Sequence, residues 1–412
     1  MSEKRAKVGV IGCGLIGQWH LRTIAELHAG GLIELAAVCD IVEDRAKAIG
    51  EKYHVPYFTS AEKMLDNDLD FVYIATGDFT HHAIAKLAAE HGKSVLVEKP
   101  FAMSLPCFDM VINACKKASV YWECAENYWG TTLELAMKKV IDQGVIGDVT
   151  RTYAIDPSPA IGKGPAFSAH SAAFRLHDWG VHRMSQIRRF AGSDAKKVVA
   201  KTKVCTPGEE FDDWGHAIVE FENGAVGICE LGIGTAGKVN YREVVGTKGI
   251  IHMRGIRNNG PTELTLLSEN KAVLEDKNTR ATIRRPTIRN IDIPVQTLYW
   301  APGAVADLSV EKVVVWTDPP IVYENPYADV VSTEWGTGFA NCVMSIANAC
   351  VKDKSPVYGI QGRKDVEMCV AMYESSLKGM APISLPITSL TSWERNLHAL
   401  YRKTFGKDPT DV

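Results

Sequence analysis

The stretch Lys7-Val8-Gly9-Val10-Ile11-Gly12-Cys13-Gly14-Leu15-Ile16-Gly17 runs from a short apolar strand into a glycine-rich turn. A helical pattern follows, with apolar residues at Trp19, Leu21, Ile24 and Leu27. Strand, G-x-G-x-x-G and helix, in this order, are typical of a dinucleotide site, because the glycines allow a tight turn and bring a pyrophosphate close to the helix amino end. We therefore predict such a site. The alternative is a glycine turn in a βαβ unit that binds no nucleotide.

The second strand supports this prediction, because residues 33–39 are apolar and Asp40 follows them directly. A carboxylate about 20 residues past the glycines binds the ribose hydroxyls of NAD and repels the 2′-phosphate of NADP. Ile41 stands where a basic residue would hold that phosphate. Arg45 could reach a phosphate, but we interpret it as a solvated arginine on a helix. The pattern favours NAD.

A further apolar strand, Ser94-Val95-Leu96-Val97-Glu98-Lys99-Pro100, ends on two charges and a proline. Its apolar run is typical of a parallel strand that is covered on both faces. Open α/β sheets bind their ligands at the carboxyl ends of such strands. We therefore expect Glu98 and Lys99 to lie beside the cofactor.

The composition is that of a two-domain enzyme with a small-molecule substrate. A chain of 412 residues exceeds what one core usually supports. The net charge is −3 with acids and bases interspersed, which argues against nucleic-acid and membrane partners. The ten cysteines form no C-x-x-C pair, as is typical of reduced thiols in a cytosol. Because the first strand starts by Lys7, we expect no signal segment and a cytoplasmic location.

The pattern of predicted secondary structure divides the chain into two parts. Residues 1–125 alternate strand and helix, which predicts a doubly wound parallel sheet of the Rossmann type. Residues 126–412 are rich in alternating β segments with short turns, which predicts an α+β domain with a large, mostly antiparallel open sheet. The pattern assigns no elements to residues 256–326.

The densest chemistry in the second part is His177-Asp178-Trp179-Gly180-Val181-His182, in a predicted helix. Asp178 and His182 are four residues apart and share a helix face, so both can act on one ligand. Histidine accepts protons near neutral pH, and a carboxylate can orient it. The alternative is a surface pair that stabilises the helix slightly. A metal site using His81, His82, His177 and His182 lacks supporting spacing, and we predict none.

These motifs together resemble the Gfo/Idh/MocA oxidoreductases, which include glucose-fructose oxidoreductase and inositol dehydrogenase. The resemblance covers most of the chain. It rests on the glycine motif at residues 12–17, Asp40, Thr76 with His81, Glu98-Lys99-Pro100, Asp178 with His182, Asn223-Gly224, Gly246-Thr247-x-Gly249, Tyr373-Glu374-Ser375-Ser376 and Leu385-Pro386.

The resemblance implies that Lys99, Asp178 and His182 converge beside the nicotinamide. By this resemblance, Lys99 binds the reacting hydroxyl and a ribose, His182 is the general base, and Asp178 holds a polar network. The resemblance also implies a cis bond before Pro100 and a homo-oligomer formed through the open sheet. Two departures stand out. The usual T-P-N is Thr76-Gly77-Asp78, and the acidic residue often found three after the histidine is Ser185.

We therefore expect hydride transfer to NAD from a secondary ring hydroxyl of a sugar, a glycoside (at C3, for example) or a cyclitol. An NAD-dependent glycosidase and a non-catalytic NAD-binding sensor are the alternatives. The candidate cofactor-binding residues are Gly12, Gly14, Leu15, Ile16, Gly17, Asp40, Ile41, Arg45, Thr76, Gly77, Asp78, His81, Glu98 and Lys99. The candidate substrate-binding residues are Lys99, Tyr128, Trp129, Arg175, Asp178, Trp179 and His182. The Pro/Gly-rich segment 156–165 is a candidate loop over the site.

Overall fold

The computed structural model describes most of the chain. The described residues are 4–158, 175–205, 212–233, 239–256, 263–268, 281–284, 287–288, 291–292, 295–299, 312–315, 319, 321–331 and 333–412.

The first part of the chain alternates strands and helices, as predicted. Its elements are β1 (Lys7–Ile11), α1 (Leu15–Ala29), β2 (Glu34–Cys39), α2 (Glu43–Tyr53), β3 (Tyr57–Phe58), α3 (Ala61–Leu65), β4 (Phe71–Ile74), α4 (Asp78–Glu90), β5 (Ser94–Glu98), α5 (Leu105–Ala118) and β6 (Trp122–Ala125). The six strands are all parallel, in the order β3-β2-β1-β4-β5-β6. This is the Rossmann order, and it reverses between β1 and β4, where such sheets bind ligands. The fold prediction for this part is confirmed.

Burial explains why these segments form central strands. Every residue of β4 and β5 is buried, which requires cover on both faces and suits the uninterrupted apolar runs of the sequence. Ser94 and Glu98 are the polar residues of β5, one at each end. The strand therefore delivers Glu98 and Lys99 to the carboxyl edge of the sheet.

The second part contains a large sheet with helices on one face. After a 3₁₀ turn (Asn127–Gly130), its elements are α6 (Thr132–Asp142), β7 (Val149–Ser158), α7 (Arg175–Ala191), β8 (Ala195–Lys203), β9 (Trp214–Phe221), β10 (Val226–Ile233), β11 (Val239–Gly246), β12 (Gly249–Ile256), β13 (Glu263–Ser268), β14 (Ala281–Arg284), β15 (Thr287–Ile288), β16 (Ile291–Asp292), β17 (Val295–Tyr299), β18 (Lys312–Val315), β19 (Ile321–Glu324), α8 (Glu334–Lys352), α9 (Gln361–Leu377), β20 (Ile383–Ser384) and α10 (Ser392–Phe405).

Ten described strands form this sheet, in the order β14-β17-β13-β12-β11-β7-β10-β9-β8-β20. Among them only the pair β7 and β10 is parallel, so the predicted, mostly antiparallel sheet is confirmed. The predicted turn at Asn223-Gly224 joins β9 to β10, with Gly224 at φ +84°. The sheet also extends into residues 263–299, where the sequence pattern had no clear period.

Helices α7 and α9 cover one face of the large sheet. Val181, Met184 and Ile187 of α7 belong to the same buried cluster as Met372 of α9 and Val219 of β9. On the other face Ile218 is 55% exposed. This alternation of buried and exposed residues along β9 is the period of a sheet that is covered on one side.

Helix α8 lies against the first sheet although it comes some 200 residues later in the chain. Val343 and Ile346 of α8 share a buried cluster with Val10 of β1 and with Leu21 and Ile24 of α1. The carboxyl-terminal part of the chain thus completes the core of the first sheet. None of the helices in the described ranges is long and apolar enough to cross a membrane.

Candidate active site

The glycine turn between β1 and α1 closes tightly against the sheet. Gly12 has φ +97°, and a Cβ built there would lie 2.5 Å from the carbonyl oxygen of Ala75. A Cβ at Gly17 would lie 2.0 Å from the carbonyl oxygen of Gly12, whereas one at Gly14 would meet no protein atom within 4 Å. Gly14 also begins α1 without a side-chain cap. The turn therefore leaves open space at an uncapped helix amino end, which suits a pyrophosphate.

Apolar side chains project into solvent beside this turn. Leu15 is 72% exposed and Ile41 is 90% exposed, and Ile16 is also exposed. Side chains of this size usually gain burial from a partner. Their positions after β1 and β2 match the predicted cofactor residues, and their apolar surfaces suit the rings of a dinucleotide. The turn and its surroundings fit NAD.

Asp40 is held at the end of β2 by three donors. The backbone N–H of Cys13 donates to Oδ2 at 2.9 Å, and that of Val42 donates to Oδ1 at 2.9 Å. Arg45 donates to both carboxylate oxygens at 3.3 and 3.1 Å. Arg45, interpreted from sequence as a solvated arginine, instead forms an ion pair with Asp40. The carboxylate is thereby fixed beside the glycine turn.

His81 joins the two loops that follow β4 and β5. Its Nε2 lies 3.1 Å from the carbonyl oxygen of Thr76, and its Nδ1 lies 2.9 Å from that of Pro100. The Lys99–Pro100 peptide bond is cis, as predicted. Gly77 and Asp78 begin α4 at the same edge of the sheet. His81 is buried, so it positions these loops rather than lining a surface.

Glu98 is the charged centre beneath Lys99. Its Oε1 lies 2.7 Å from Nε2 of His20 and accepts a hydrogen bond from the Tyr73 hydroxyl at 3.3 Å. Burial works against ionisation of Glu98, yet the hydrogen bond and charge of His20 lower its pKa to about 2. The positive charges of Lys99 and His182 also favour the carboxylate. Lys99 and His182, which lie far apart in sequence, therefore act on the same buried anion.

His182 is paired with a residue that the sequence motifs did not indicate. Its Nδ1 lies 2.7 Å from both carboxylate oxygens of Glu126. Both residues are buried. Burial raises the pKa of Glu126 to about 8, although the charges of Lys99 and Arg183 oppose this shift. The signal available in the sequence was an acid placed directly after β6, next to the end of β5.

Aromatic rings border this pair. The Tyr128 ring meets the His182 ring edge-on, with centroids 4.8 Å apart. Trp335, in the first turn of α8, meets Tyr128 edge-on at 5.2 Å and is partly exposed. Sequence reasoning missed Trp335, because its helix follows the segment that could not be assigned. A partly exposed tryptophan near the histidine is suited to stack on a sugar ring.

Trp129, predicted to bind substrate, contacts α7 and the loop before α9. Its Nε1 donates to Oγ of Ser185 at 2.5 Å, and its ring lies 4.6 Å beneath the Arg189 guanidinium and 4.7 Å from the Tyr358 ring. Ser185 is fully buried. Ser185, one of the two departures from the motifs of the resemblance, therefore serves as a buried hydrogen-bond acceptor for Trp129.

A buried ion pair anchors α7 to the large sheet. The Arg183 guanidinium donates to Asp156 of β7, with Nε at 2.9 Å from Oδ2, and to the Tyr128 hydroxyl at 3.2 Å. Its Nη1 donates to Gln186 at 2.7 Å. Because both charges are removed from water, breaking this pair would be strongly destabilising. The pair fixes the helix that carries His182.

Three further predicted residues lie on α7. Arg175 and Asp178 belong to its first turns, but their side chains lie outside the described part of the structure, as does His177. Trp179 is partly buried. Of the segment 156–165, only residues 156–158 are described, as the end of β7. The roles predicted for Asp178, Arg175 and the loop stay predictions.

Two family models match this chain. The model described as "Oxidoreductase family, NAD-binding Rossmann fold" matches residues 6–125, and the GFO/IDH/MocA C-terminal domain matches residues 135–252. The chain belongs to the Gfo/Idh/MocA oxidoreductase family. The resemblance inferred from its motifs is confirmed, and the first sheet is the NAD-binding domain of this family.

Several relatives in the family are dehydrogenases of small polyols and sugars. The chain is 28% identical over 278 residues to D-apiose dehydrogenase of Rhizobium rhizogenes, covering 65% of this chain and 79% of that enzyme. It is 27% identical over 260 residues to myo-inositol 2-dehydrogenase of Thermotoga maritima, covering 61% of this chain and 76% of that enzyme.

Solved structures of other oxidoreductases share the fold. An oxidoreductase from Agrobacterium radiobacter, in complex with NAD+, L-tartaric acid and magnesium, superimposes with a TM-score of 0.68 at 20% identity, covering 92% of this chain and 98% of that one. The WlbA dehydrogenase from Bordetella pertussis, in complex with NADH and UDP-GlcNAcA, gives 0.67 at 19% identity, covering 93% and 100%. At this level of identity the likeness establishes the fold.

We expect cofactor choice to depend on Asp40, because its carboxylate is fixed beside the glycine turn. We expect Asp40→Ala to weaken NAD binding about tenfold or more, because it removes hydrogen bonds to a charged acceptor. It should also narrow the preference for NAD over NADP, because Arg45 loses its partner and can meet a 2′-phosphate. Dissociation constants for both nucleotides measure this. Asp44 is an exposed carboxylate on α2, the helix that carries Arg45. Asp44→Ala should change neither the affinity for NAD nor the preference for NAD over NADP. An equal loss of NAD affinity in both variants would contradict the role of Asp40.

Proposed function

We propose that this protein oxidises a secondary ring hydroxyl of a sugar, glycoside or cyclitol by transferring hydride to NAD. The observation that carries the proposal is the meeting of Lys99 and His182 around Glu98, at the carboxyl edge of the first sheet. Ligands of doubly wound sheets bind at this edge. The names of the D-apiose and myo-inositol dehydrogenases support the substrate class.

Each residue has a role that follows from its contacts. With its ring proton on Nδ1 toward Glu126, His182 accepts the hydroxyl proton at Nε2. A positioned general base typically contributes about 10²–10⁴-fold in rate. The Lys99 ammonium stabilises the developing negative charge on the substrate oxygen. When bound, NAD supplies the hydride acceptor, and the glycine turn, Asp40 and the apolar residues beside them hold it.

Within this class we favour a glycoside over a free cyclitol, with C3 as the oxidised position. Tyr128 and the partly exposed Trp335 place aromatic surface beside His182. Aromatic faces suit the apolar faces of pyranose rings. Tyr128 is buried, so the partly exposed Trp335 is the ring of this pair that can meet the substrate.

Two alternatives concern the same site. An NAD-dependent glycosidase would oxidise the sugar only transiently, so products would form without net NADH. A non-catalytic NAD-binding sensor is disfavoured, because a sensor has no need of a lysine and a histidine around one buried carboxylate.

One experiment separates these readings. Purified protein is incubated with a panel of glycosides, free sugars and inositols, then denatured, and the released nucleotide and its redox state are identified. We expect NADH to accumulate with one class of substrate. Bond cleavage without NADH would favour the glycosidase, and NAD that stays oxidised with every compound would overturn the proposal.

We further propose a cytoplasmic homo-oligomer with domains at residues 1–125 and 126–412. The exposed face of the large sheet, including Ile218, supports association through that face.

All ten cysteines are free thiols and most are buried, which suits a reducing compartment. The two family models, which end at residue 125 and begin at residue 135, support the division.

A further inference from the structure

We propose that Glu126 is a positioning residue for the general base, holding His182 in the tautomer and orientation that leave Nε2 to receive the substrate proton. This inference rests on the proposed function. No motif of the sequence and no feature of the family named above pointed to Glu126. The contact that reveals it joins residues 56 positions apart.

The backbone places Glu126 at the active edge of the first sheet. Ala125 of β6 pairs with Glu98 at the end of β5, so Glu126 follows directly beside the Glu98-Lys99 pair. Its Oε1 accepts a hydrogen bond from the backbone N–H of Tyr128 at 3.2 Å, which fixes the carboxylate. Glu126 thus follows the last strand of the first sheet and contacts His182 of α7.

The contact with His182 is specific to one ring nitrogen. Both carboxylate oxygens lie 2.7 Å from Nδ1, and the Tyr128 ring packs edge-on against the imidazole. An acceptor at Nδ1 holds the proton there in neutral histidine, so Nε2 is the basic nitrogen. The ring is therefore fixed by a hydrogen bond at one nitrogen and by an aromatic contact.

Charge explains why a carboxylate serves better than a neutral acceptor. When His182 takes a proton it becomes an imidazolium, and a carboxylate at 2.7 Å stabilises that cation in a buried site. Burial raises the pKa of Glu126 to about 8, while the positive charges of Lys99 and Arg183 oppose this shift and favour the carboxylate. The other titratable or charged groups that interact electrostatically with Glu126 are Lys99, Glu98, Arg183, Arg189, Cys124, Tyr358, Cys342 and Cys369.

A second buried acid, three residues before Glu126, provides the matched control. Glu123 in β6 accepts hydrogen bonds from Ser345 Oγ at 2.6 Å and from the backbone N–H groups of Tyr358 and Gly359 at 3.1 and 2.7 Å. Burial raises its pKa to about 7. Glu123 therefore resembles Glu126 in burial and chemistry but binds only structural partners among the described residues.

The test is Glu126→Gln, which keeps the shape and removes the charge. We expect kcat to fall about 100-fold, while the substrate KM and the Kd of NAD stay within about twofold. The acid limb of the kcat–pH profile should move to lower pH, because a neutral amide no longer favours the imidazolium. Glu126→Asp should recover part of kcat. Glu123→Gln should leave kcat and the pH profile unchanged, even if it lowers the melting temperature.

Wild-type kcat and an unshifted pH profile in Glu126→Gln would overturn the inference, and so would equal losses in the two glutamine variants. Should Glu126→Gln fail to fold, ¹⁵N NMR of the wild-type protein decides the matter. We expect the proton of His182 on Nδ1, and a neutral ring protonated on Nε2 would overturn the inference. His182→Ala separates the two proposals. If His182→Ala is inactive while Glu126→Gln is fully active, only the role of Glu126 fails. If His182→Ala is active, His182 is not the general base and the proposed mechanism fails as well.

Discussion

Lys99→Ala should abolish turnover while leaving NAD binding measurable. Lys99 follows β5 and lies close enough to Glu98 to favour its carboxylate, and its loss removes the positive charge that, in the proposed mechanism, stabilises the developing alkoxide. Removing one such electrostatic contact typically costs about 10²–10³ in kcat. We expect at least this loss here, because in the proposed mechanism the ammonium also binds the reacting hydroxyl. Steady-state NADH formation measures kcat, and calorimetry measures the affinity for NAD.

Lys93→Ala provides the comparison for this variant. Lys93 lies in the turn just before β5, where its Nζ donates to the carbonyl oxygen of Asn67 at 2.8 Å. It carries the same charge as Lys99 but lies at the opposite end of β5. We expect wild-type turnover for Lys93→Ala. Wild-type turnover in Lys99→Ala would instead refute the catalytic role.

Gly17→Ala should lose NAD binding together with stability. The added methyl carbon would lie 2.0 Å from the carbonyl oxygen of Gly12, and backbone cannot yield as a flexible side chain can. Overpacking of this kind costs about 1–3 kcal/mol, occasionally more, and it displaces the turn that faces the pyrophosphate. The free energy of unfolding and the Kd of NAD measure the two effects.

Gly14→Ala separates an effect on NAD binding from an effect on the stability of the protein. A methyl group at Gly14 meets no protein atom within 4 Å, so the free energy of unfolding should stay near that of wild type. NAD binding should still weaken, because the methyl enters the region that the pyrophosphate needs. Unchanged NAD affinity in Gly14→Ala would contradict the placement of the cofactor at this turn.

The first sheet could be predicted from sequence because its signals are local. The glycine motif, Asp40 after β2 and Glu98-Lys99-Pro100 after β5 each lie within a few residues of the strand that positions them. Parallel strands bring their carboxyl ends to one edge, so local motifs converge without further information.

The contact between His182 and Glu126 could not be predicted in this way. Sequence reasoning proposed Asp178 because a helix places residues four apart on one face. The contact with Glu126 depends instead on how α7 packs against the end of β6, and that packing is set by distant pairs such as Arg183 with Asp156. Trp335 was missed for the same reason, since no local period links α8 to the site.

Helix α8 also bears on how the protein is synthesised. The strands of the first sheet leave the ribosome well before residues 334–352, and at about 5–20 residues per second the interval is about 10–45 seconds. Until α8 arrives, Val10, Leu21 and Ile24 lack the apolar cover that Val343 and Ile346 give them. A nascent chain with its dinucleotide-binding motifs already formed therefore carries an unfinished apolar face, the kind of surface that chaperones bind during translation.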